Sequence, residues 1–269
     1  MTDRAFTDQA VTDQAVTDGA MARDSATGWL VVAGLGPGAE GMITPEVTLA
    51  LSQASDVVGY IPYVARIPPR PGLILHPSDN RVELERARAA LEMAASGRRV
   101  VVVSSGDPGV FAMASALFEA LEDAPSHWRD LDIRVLPGIT AMLAAAAAAG
   151  APLGHDFCAI NLSDNLKPFD LVLRRLRLAV EGDFAVAMYN PRSKSRPTQF
   201  AQVLDTLRQG CEETRLITFA RAVSTPEQVI TTVALREARP EMADMRTVVI
   251  LGNAQTRRVG RFVYTPRSA

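Results

Sequence analysis

Cysteine and histidine are scarce in this chain. Its 269 residues include two cysteines, Cys158 and Cys211, and three scattered histidines, and no Cys-x-x-Cys pair occurs. Zinc and iron–sulfur centres need clustered ligands of these types. The sequence therefore predicts no metal site.

Long basic runs and long apolar runs are also missing. The formal net charge is −2, and no basic stripe is present that would neutralise a nucleic-acid backbone. No segment stays apolar for long enough to span a bilayer. We therefore expect neither a nucleic acid nor a membrane as a partner.

The first residues lack the apolar core of a secretory signal. Residues 7–20 instead repeat a polar five-residue unit, which reads Thr-Asp-Gln-Ala-Val in its first two copies. Its acidic residues argue against a mitochondrial transit peptide, and its low hydrophobicity leaves too little burial to offset the entropy cost of ordering. We predict a disordered tail over residues 1–28 and a cytoplasmic protein.

Through the rest of the chain, apolar runs alternate with amphipathic stretches, which is typical of an α/β fold. A length of 269 residues suffices for two domains that each bury a core. We predict an N-terminal α/β domain over residues 29–150 and a C-terminal α/β domain over residues 151–269. The glycine- and proline-containing segment 150–154 is the predicted linker.

The order of elements follows from the hydrophobic pattern. The predicted elements of the first domain are strand 29–34, helix 44–54, strand 56–60, helix 82–96, strand 99–104, helix 110–122, strand 132–136 and helix 139–149. Those of the second domain are strand 157–162, helix 168–180, strand 184–189, helix 197–208 and strands 215–220, 228–233, 246–251 and 262–265. Because the last strands follow one another without long helices, the second sheet is predicted to be mixed and partly antiparallel.

Two predicted strands run directly into glycine loops. Residues 34–38 read Gly-Leu-Gly-Pro-Gly, and residues 104–109 read Ser-Ser-Gly-Asp-Pro-Gly. Glycines at the carboxyl end of a strand let backbone N–H groups approach a ligand, and open α/β sheets bind ligands at that edge. We therefore predict a ligand site there. A tight turn that needs glycine for its geometry alone is the alternative.

The first loop superficially matches two phosphate-binding motifs. Residues 34–39 fit G-x-G-x-x-G/A, and Asp56 stands at the distance of a ribose-binding acid. However, Pro37 removes a backbone donor that a pyrophosphate needs, and Asp56 precedes its strand instead of ending it. Residues 36–43 have the outer glycines of a P-loop without its Lys-Ser/Thr, and the next helix begins late, with Thr44 as its N-cap.

These phrases, in this order, resemble the tetrapyrrole (corrin-pathway) methyltransferase family. The general motifs are residues 34–38 with Thr44-Pro45, residues 105–108 (Ser-Gly-Asp-Pro) and residues 137–141 (Pro-Gly-Ile-Thr-Ala). The resemblance covers about residues 29–266. It implies two α/β domains of the tetrapyrrole methylase type, which hold S-adenosylmethionine in the cleft between them, and a homodimer.

Three further phrases resemble one branch of that family. They are residues 59–63 (Gly-Tyr-Ile-Pro-Tyr), residues 162–166 (Leu-Ser-Asp-Asn-Leu) and residues 189–193 (Tyr-Asn-Pro-Arg-Ser). That branch methylates C17 of precorrin-3B and contracts its ring in cobalamin synthesis. Methylation of another macrocycle carbon, or of the cobalt-containing counterpart, stays open on the sequence, although the lack of a cysteine cluster favours the metal-free route.

The resemblance implies a set of cofactor contacts at the strand ends. They are Pro37, Ser105, Gly106, Asp107, Val110, Phe111, Thr140, Ala141, Met188, Ala222, Thr247 and Val248. Backbone groups there would bind the adenine and the methionine end, and Met188 and Phe111 would supply apolar walls. Alternative roles are turn initiation for Asp107, helix capping for Thr140 and core packing for Met188. Ser105 replaces a glycine of many relatives, which is tolerated where φ is not positive.

A precorrin carries carboxylate side chains, so the pocket that binds it needs hydrogen-bond donors and cations. The predicted substrate contacts are Gly36, Gly38, Asn165, Asn190, Arg192, Lys194 and Arg221. A proton donor or acceptor for ring contraction is sought among Asp107, Asp164 and Lys194, and Asp164 is predicted to steer contraction. A solvated loop is the alternative for residues 192–196.

Three other classes of function stay open. The same fold resembles RNA ribose methyltransferases, against which the net charge of −2 argues. A nucleotide-dependent dehydrogenase would carry bound NAD(P). A non-catalytic sensor would bind the cofactor without turnover.

Overall fold

The computed structural model describes residues 28–268, so the predicted disorder of the tail falls almost entirely outside the described residues. Its first half is built on a parallel five-stranded sheet in the order β3-β2-β4-β1-β5. The strands are β1 (Trp29–Gly34), β2 (Asp56–Tyr60), β3 (Ile74–Ser78), β4 (Arg99–Ser104) and β5 (Asp132–Leu136). The continuous apolar runs of β1 and β4 fit strands that are buried on both faces.

Helices cover both faces of this sheet. They are α1 (Pro45–Gln53), α2 (Ile61–Val64), α3 (Glu83–Ala95) and α4 (Met113–Glu122), whereas α5 (Ala141–Ala149), which follows β5, packs on the second sheet. Leu30 and Val32 pack with α3 and α4 on one face, while Val31 and Ala33 pack with α1 on the other. Thr44 is the N-cap of α1 as predicted, since its hydroxyl accepts from the N–H of Val47 at 3.3 Å.

The second half contains a mixed five-stranded sheet in the order β10-β9-β11-β8-β7 and a small three-stranded sheet in the order β12-β13-β6. The strands are β6 (Gly150–Ala151), β7 (Phe157–Asn161), β8 (Ala185–Tyr189), β9 (Leu216–Arg221), β10 (Val229–Ala234), β11 (Thr247–Leu251), β12 (Arg257–Val259) and β13 (Phe262–Tyr264). Helices α6 (Phe169–Glu181) and α7 (Gln199–Gly210) pack against the large sheet. Because only β7 and β8 pair in parallel within it, the predicted mixed sheet is confirmed.

Helix α5 links the two halves. Its alanines Ala144, Ala145 and Ala146 pack on the second sheet against residues of β8, β9 and β11. The segment predicted as a linker instead begins with β6, which pairs with β13. The domain boundary after residue 150 stays a prediction. Helix α5, which precedes that boundary, covers the large sheet that follows it.

Three differences from the predicted elements have local causes. Helix α4 begins at Met113 and not at 110, because Phe111 has a φ of 56° and cannot belong to a right-handed helix. Strand β3 is an edge strand that contains Pro77, and proline weakens a strand pattern. Helix α2 has only four residues. None of the helices in residues 28–268 has both the length and the apolarity to cross a membrane.

Candidate functional site

The carboxyl ends of β1, β4 and β5 meet in three loops that pack backbone against backbone. The N–H groups of Gly36 and Gly106 each donate to the carbonyl of the other, at 3.2 and 2.9 Å, and both residues have a positive φ. A Cβ on Gly138 would lie 2.3 Å from the carbonyl oxygen of Gly106, and one on Gly34 would lie 2.7 Å from the nitrogen of Gly138. Side chains at these positions would force the three loops apart.

Asp107 braces these loops. Its Oδ1 accepts from the N–H of Gly109 at 2.8 Å, and its Oδ2 accepts from the N–H of Gly138 at 3.0 Å. The geometry supports the turn-forming role, and the catalytic and cofactor-binding roles of Asp107 stay predictions. Ser105 is not among the residues of positive φ, as its replacement of glycine requires.

Tyr189, at the end of β8, connects the second sheet to the first half. Its hydroxyl lies 2.5 Å from Oγ1 of Thr140 and accepts from the N–H of Met142 at 2.9 Å. Its ring packs edge to face against that of Phe111, with the two ring centroids 5.3 Å apart. Burial raises the pKa of Tyr189 against the opposing effect of these hydrogen bonds, so the hydroxyl stays protonated at neutral pH. The hydroxyl of Thr140 bonds to Tyr189 and does not cap its own helix.

Tyr189 belongs to a phrase that carries the family resemblance, but the sequence predicts no role for it, whereas it predicts that Met188 lies at the site. The side chain of Met188 is fully buried in the core on the α6 and α7 side, whereas Tyr189 packs with the α5 cluster. The structure therefore supports the core role for the Met188 side chain. A backbone contact of Met188 with a cofactor stays a prediction.

Left-handed backbone is concentrated at the same edges of the two sheets. Phe111, Asn190, Ala222 and Ser224 have φ values of 56°, 54°, 49° and 64°, and they follow β4, β8 and β9. Each such conformation costs on the order of 1–3 kcal/mol and persists where the surroundings enforce it, often at functional sites. The loops predicted to bind ligands are therefore held in strained conformations.

The first glycine loop touches the second half directly. A Cβ on Gly38 would lie 2.6 Å from Cγ2 of Thr225 and 2.9 Å from the carbonyl oxygen of Ser224. The neighbouring Pro37 is partly exposed. The loops after β1 and β9 thus meet, and the site includes both halves of the chain.

Arg221, a predicted substrate contact, already has a partner. Its Nε donates to Asp244 Oδ2 at 2.8 Å, and Thr247 donates to Asp244 Oδ1 at 2.8 Å. Burial alone would raise the pKa of Asp244, but these hydrogen bonds outweigh burial and lower it. A substrate carboxylate at Arg221 would therefore share the guanidinium with Asp244. The predicted cofactor contacts Ala222 and Val248 are both buried, each with 6% of its surface exposed.

The buried Arg196 contacts both the loop after β7 and the loop after β8. Its Nη1 donates to the carbonyl of Asn190 at 3.1 Å, and its Nε lies 3.6 Å from Asp164 Oδ1. Asn190 in turn donates through Nδ2 to Asn161 at 3.0 Å. Two predicted site residues, Asp164 and Asn190, are thus brought together by an arginine that the sequence showed only as part of a charged run.

The remaining predicted substrate contacts lie in the loops after β7 and β8. Arg192 donates through Nε to the carbonyl of Pro197 at 3.2 Å. Lys194 and Asn165 are exposed. Exposure is compatible both with contacts to a charged ligand and with a solvated loop. Their roles stay predictions.

The dinucleotide alternative is wrong. Asp56 begins β2 at the edge opposite the glycine loops and is fully buried. Its Oδ1 lies 2.7 Å from Nε2 of His76, and it forms an ion pair with Arg98. It is therefore out of reach of a ligand at the loops. Among residues 28–268, no group of three or more histidine, cysteine or acidic side chains is placed to hold a metal ion.

Comparison with known proteins gives consistent results. The tetrapyrrole (corrin/porphyrin) methylase family matches residues 30–239. A precorrin-3B C(17)-methyltransferase from Sinorhizobium is 49% identical over 246 residues, which cover 90% of this chain and 97% of that protein. A probable cobalt-factor III C(17)-methyltransferase from Salmonella typhimurium is 35% identical, covering 88% of this chain and 98% of its own length.

Solved structures agree. The crystal structure of the methyltransferase CobJ matches with a TM-score of 0.88 and 74% identity, over 89% of this chain and all of that one. A uroporphyrin-III C-methyltransferase from Thermus thermophilus, solved with S-adenosylhomocysteine, has the same fold at a TM-score of 0.64 and 22% identity, over 84% and 97% of the two chains. The predicted α/β fold is thereby confirmed. The chain belongs to the tetrapyrrole (corrin/porphyrin) methylase family.

Proposed function

We propose that this protein is a precorrin-3B C17-methyltransferase, which methylates C17 and contracts the ring to give precorrin-4 in cobalamin biosynthesis. The observation that carries the proposal is the 49% identity to the Sinorhizobium enzyme of that name over 90% of this chain. The lower identity of 35% to the cobalt-factor III relative favours the metal-free substrate.

The methyl donor that fits the site is S-adenosylmethionine, which supplies an electrophilic methyl group on a sulfonium. The glycine loops pack backbone against backbone, and so bring the predicted cofactor contacts after β1, β4 and β5 together at one edge of the sheet. Phe111 is 47% exposed beside Tyr189 and offers an aromatic face, and the partly exposed Val110 adds apolar surface. The residues that would hold the donor are those that the family resemblance implies, from Pro37 to Val248.

The chain's own residues contribute alignment more than acid–base chemistry. Methyl transfer to carbon needs an in-line approach and a dry site more than a strong base. The bonds from Tyr189 to Thr140 and Met142 hold the two halves together at the site. Arg192, Lys194 and Arg221 would bind substrate carboxylates, and Asp164, paired with Arg196, is the proposed residue that steers contraction.

The quaternary state and location are part of the same proposal. The family resemblance supports a homodimer, and a cytoplasmic location is proposed with it. Light scattering of the purified full chain tests the dimer, and a monomer at micromolar concentration would exclude it.

The function is tested by competition between substrates. Purified protein receives labelled S-adenosylmethionine with precorrin-3B, its cobalt-containing counterpart, or total RNA, and label transfer is counted. We expect transfer to precorrin-3B at the highest kcat/KM. A higher kcat/KM on the cobalt compound would correct the substrate, and transfer to RNA alone would overturn the proposal.

A further inference from the structure

Arg66 lies directly behind the first glycine loop. Its Nη2 donates to the carbonyl oxygen of Leu35 at 2.7 Å and to that of Gly38 at 3.2 Å, and its Nη1 lies 3.4 Å from the carbonyl oxygen of Gly36. All three partners are backbone oxygens of one short loop. Burial lowers the pKa of the Arg66 guanidinium, but the group remains charged at any physiological pH.

The phrase at residues 59–63, which the proposed function leaves without a role, builds the turn that delivers this arginine. A Cβ on Gly59 would lie 2.7 Å from Cγ2 of Val103 and 3.1 Å from Cγ2 of Val64, so glycine lets Val64 of α2 pack closely against the sheet. Val64 is 3% exposed and anchors α2 in the core. The N–H of Arg66 then donates to the carbonyl of Tyr63 at 3.1 Å, which sets where the side chain starts.

The opposite side of the loop meets the second half. Gly38 lies against Ser224 and Thr225 so closely that a Cβ would clash with both. Ser224 itself has a positive φ of 64°. The loop thus contacts both the guanidinium of Arg66 and a strained backbone segment of the second half.

We propose that Arg66 is a positioning residue, which fixes residues 35–38 against the loop after β9 and so sets the affinity for the tetrapyrrole. A planar guanidinium donates from separate nitrogens in a fixed fork and so reaches carbonyls that lie apart, whereas an ammonium donates all three of its N–H groups from one nitrogen. The link to the tetrapyrrole rests on the proposed function, whereas the link to loop order does not.

Arg70 provides a matched control from the same segment. Its Nη2 donates to the carbonyls of Leu51 at 2.9 Å and Ala54 at 2.6 Å, at the end of α1 away from the glycine loops. The variants Arg66→Met, Arg66→Lys, Arg70→Met and Arg70→Lys therefore remove comparable backbone contacts at two different places. Amide hydrogen exchange of residues 34–42 is measured without ligand, and kcat and KM are measured for precorrin-3B.

We expect Arg66→Met to speed exchange in residues 34–42 by at least tenfold and to raise KM at least tenfold, with kcat changed less than threefold. Arg66→Lys should fall between, and the Arg70 variants should stay within twofold in both readouts. If Arg66→Met does not fold, the two lysine variants decide. Exchange in residues 34–42 that is unchanged, or equally raised by the Arg70 variants, overturns the inference. If the unaltered protein does not methylate precorrin-3B, the proposed function is overturned, and the exchange measurements still decide whether Arg66 orders the loop.

Discussion

The carboxylate of Asp107 uses both of its oxygens for backbone N–H groups, from Gly109 in its own turn and from Gly138 in the next loop. Arg66 and Arg196 similarly donate to backbone carbonyls of loops at the site. At the scale of single residues, polar side chains at this edge hold backbone in place. Loop order is therefore the quantity that substitutions there should change first.

Replacement of Asp107 by asparagine tests this role. The amide keeps one acceptor oxygen but turns its NH2 toward one of two N–H donors, so we expect the free energy of unfolding to fall by about 1–3 kcal/mol. Urea unfolding measures the change. Asp123→Asn is the control, because its side chain is 76% exposed and lies 3.8 Å from Arg88. Unchanged stability combined with lost turnover would show instead that Asp107 acts in the chemistry.

At the scale of elements, the strands were predicted best. The bounds of β1, β2, β4 and β5 match the predicted strands. In β1, β2 and β4, compact apolar runs bounded by glycine or polar residues specify buried parallel strands, whereas β5 is a largely exposed edge strand. The edge strand β3, the short strands β6 and β12 and the four-residue α2 were missed, since their patterns are short, and proline interrupts those of β3 and α2.

The site residues, too, were predicted only where local sequence determines their geometry. The glycine loops were visible in the sequence because their geometry is encoded within a few neighbouring residues. Arg66, Tyr189 and Arg196 were not assigned roles, since their hydrogen bonds reach residues about 30 to 50 positions away. For Tyr189, an aromatic residue at the end of a strand in a singled-out phrase was the available signal.

The junction between α5 and β8 depends on the hydroxyl of Tyr189. In Tyr189→Phe the ring pair with Phe111 remains, but the buried Thr140 loses its partner. An unpaired buried hydroxyl costs about 1–3 kcal/mol, so we expect that loss in the free energy of unfolding and a lower kcat/KM. Tyr264→Phe, in the small sheet, should leave kcat/KM within twofold. A Tyr189→Phe protein as stable as the unaltered one would contradict this account of the junction.

At the scale of the whole molecule, stability should depend on pH through Asp56. Burial alone would raise the pKa of Asp56, but hydrogen bonds from His76 and Ser55 and the charge of Arg98 lower it below its ordinary value. A carboxyl group with a lowered pKa stabilises the fold fully above its unfolded pKa of about 4, and that contribution is lost as pH falls through the folded pKa.

The variant Asp56→Asn isolates that contribution. It leaves Arg98 without its buried carboxylate, so we expect a loss of about 2–3 kcal/mol at pH 7, discounted because Arg98 is 35% exposed. The difference from the unaltered protein should shrink as pH falls below about 4. Asp132→Asn, an exposed carboxyl 3.5 Å from Arg134, is the control. A difference that stays constant from pH 7 to pH 3 would exclude Asp56 as the source.

The two halves form one site, since the loops after β1, β4 and β5 meet those after β8 and β9 through Gly38, Thr140 and Tyr189. We propose that this site methylates C17 of precorrin-3B and contracts its ring. The most direct test is carbon NMR of the product formed from precorrin-3B and S-adenosylmethionine with a ¹³C-labelled methyl group. We predict the label on C17 of a contracted macrocycle. Label on another carbon of an uncontracted ring would contradict the claim.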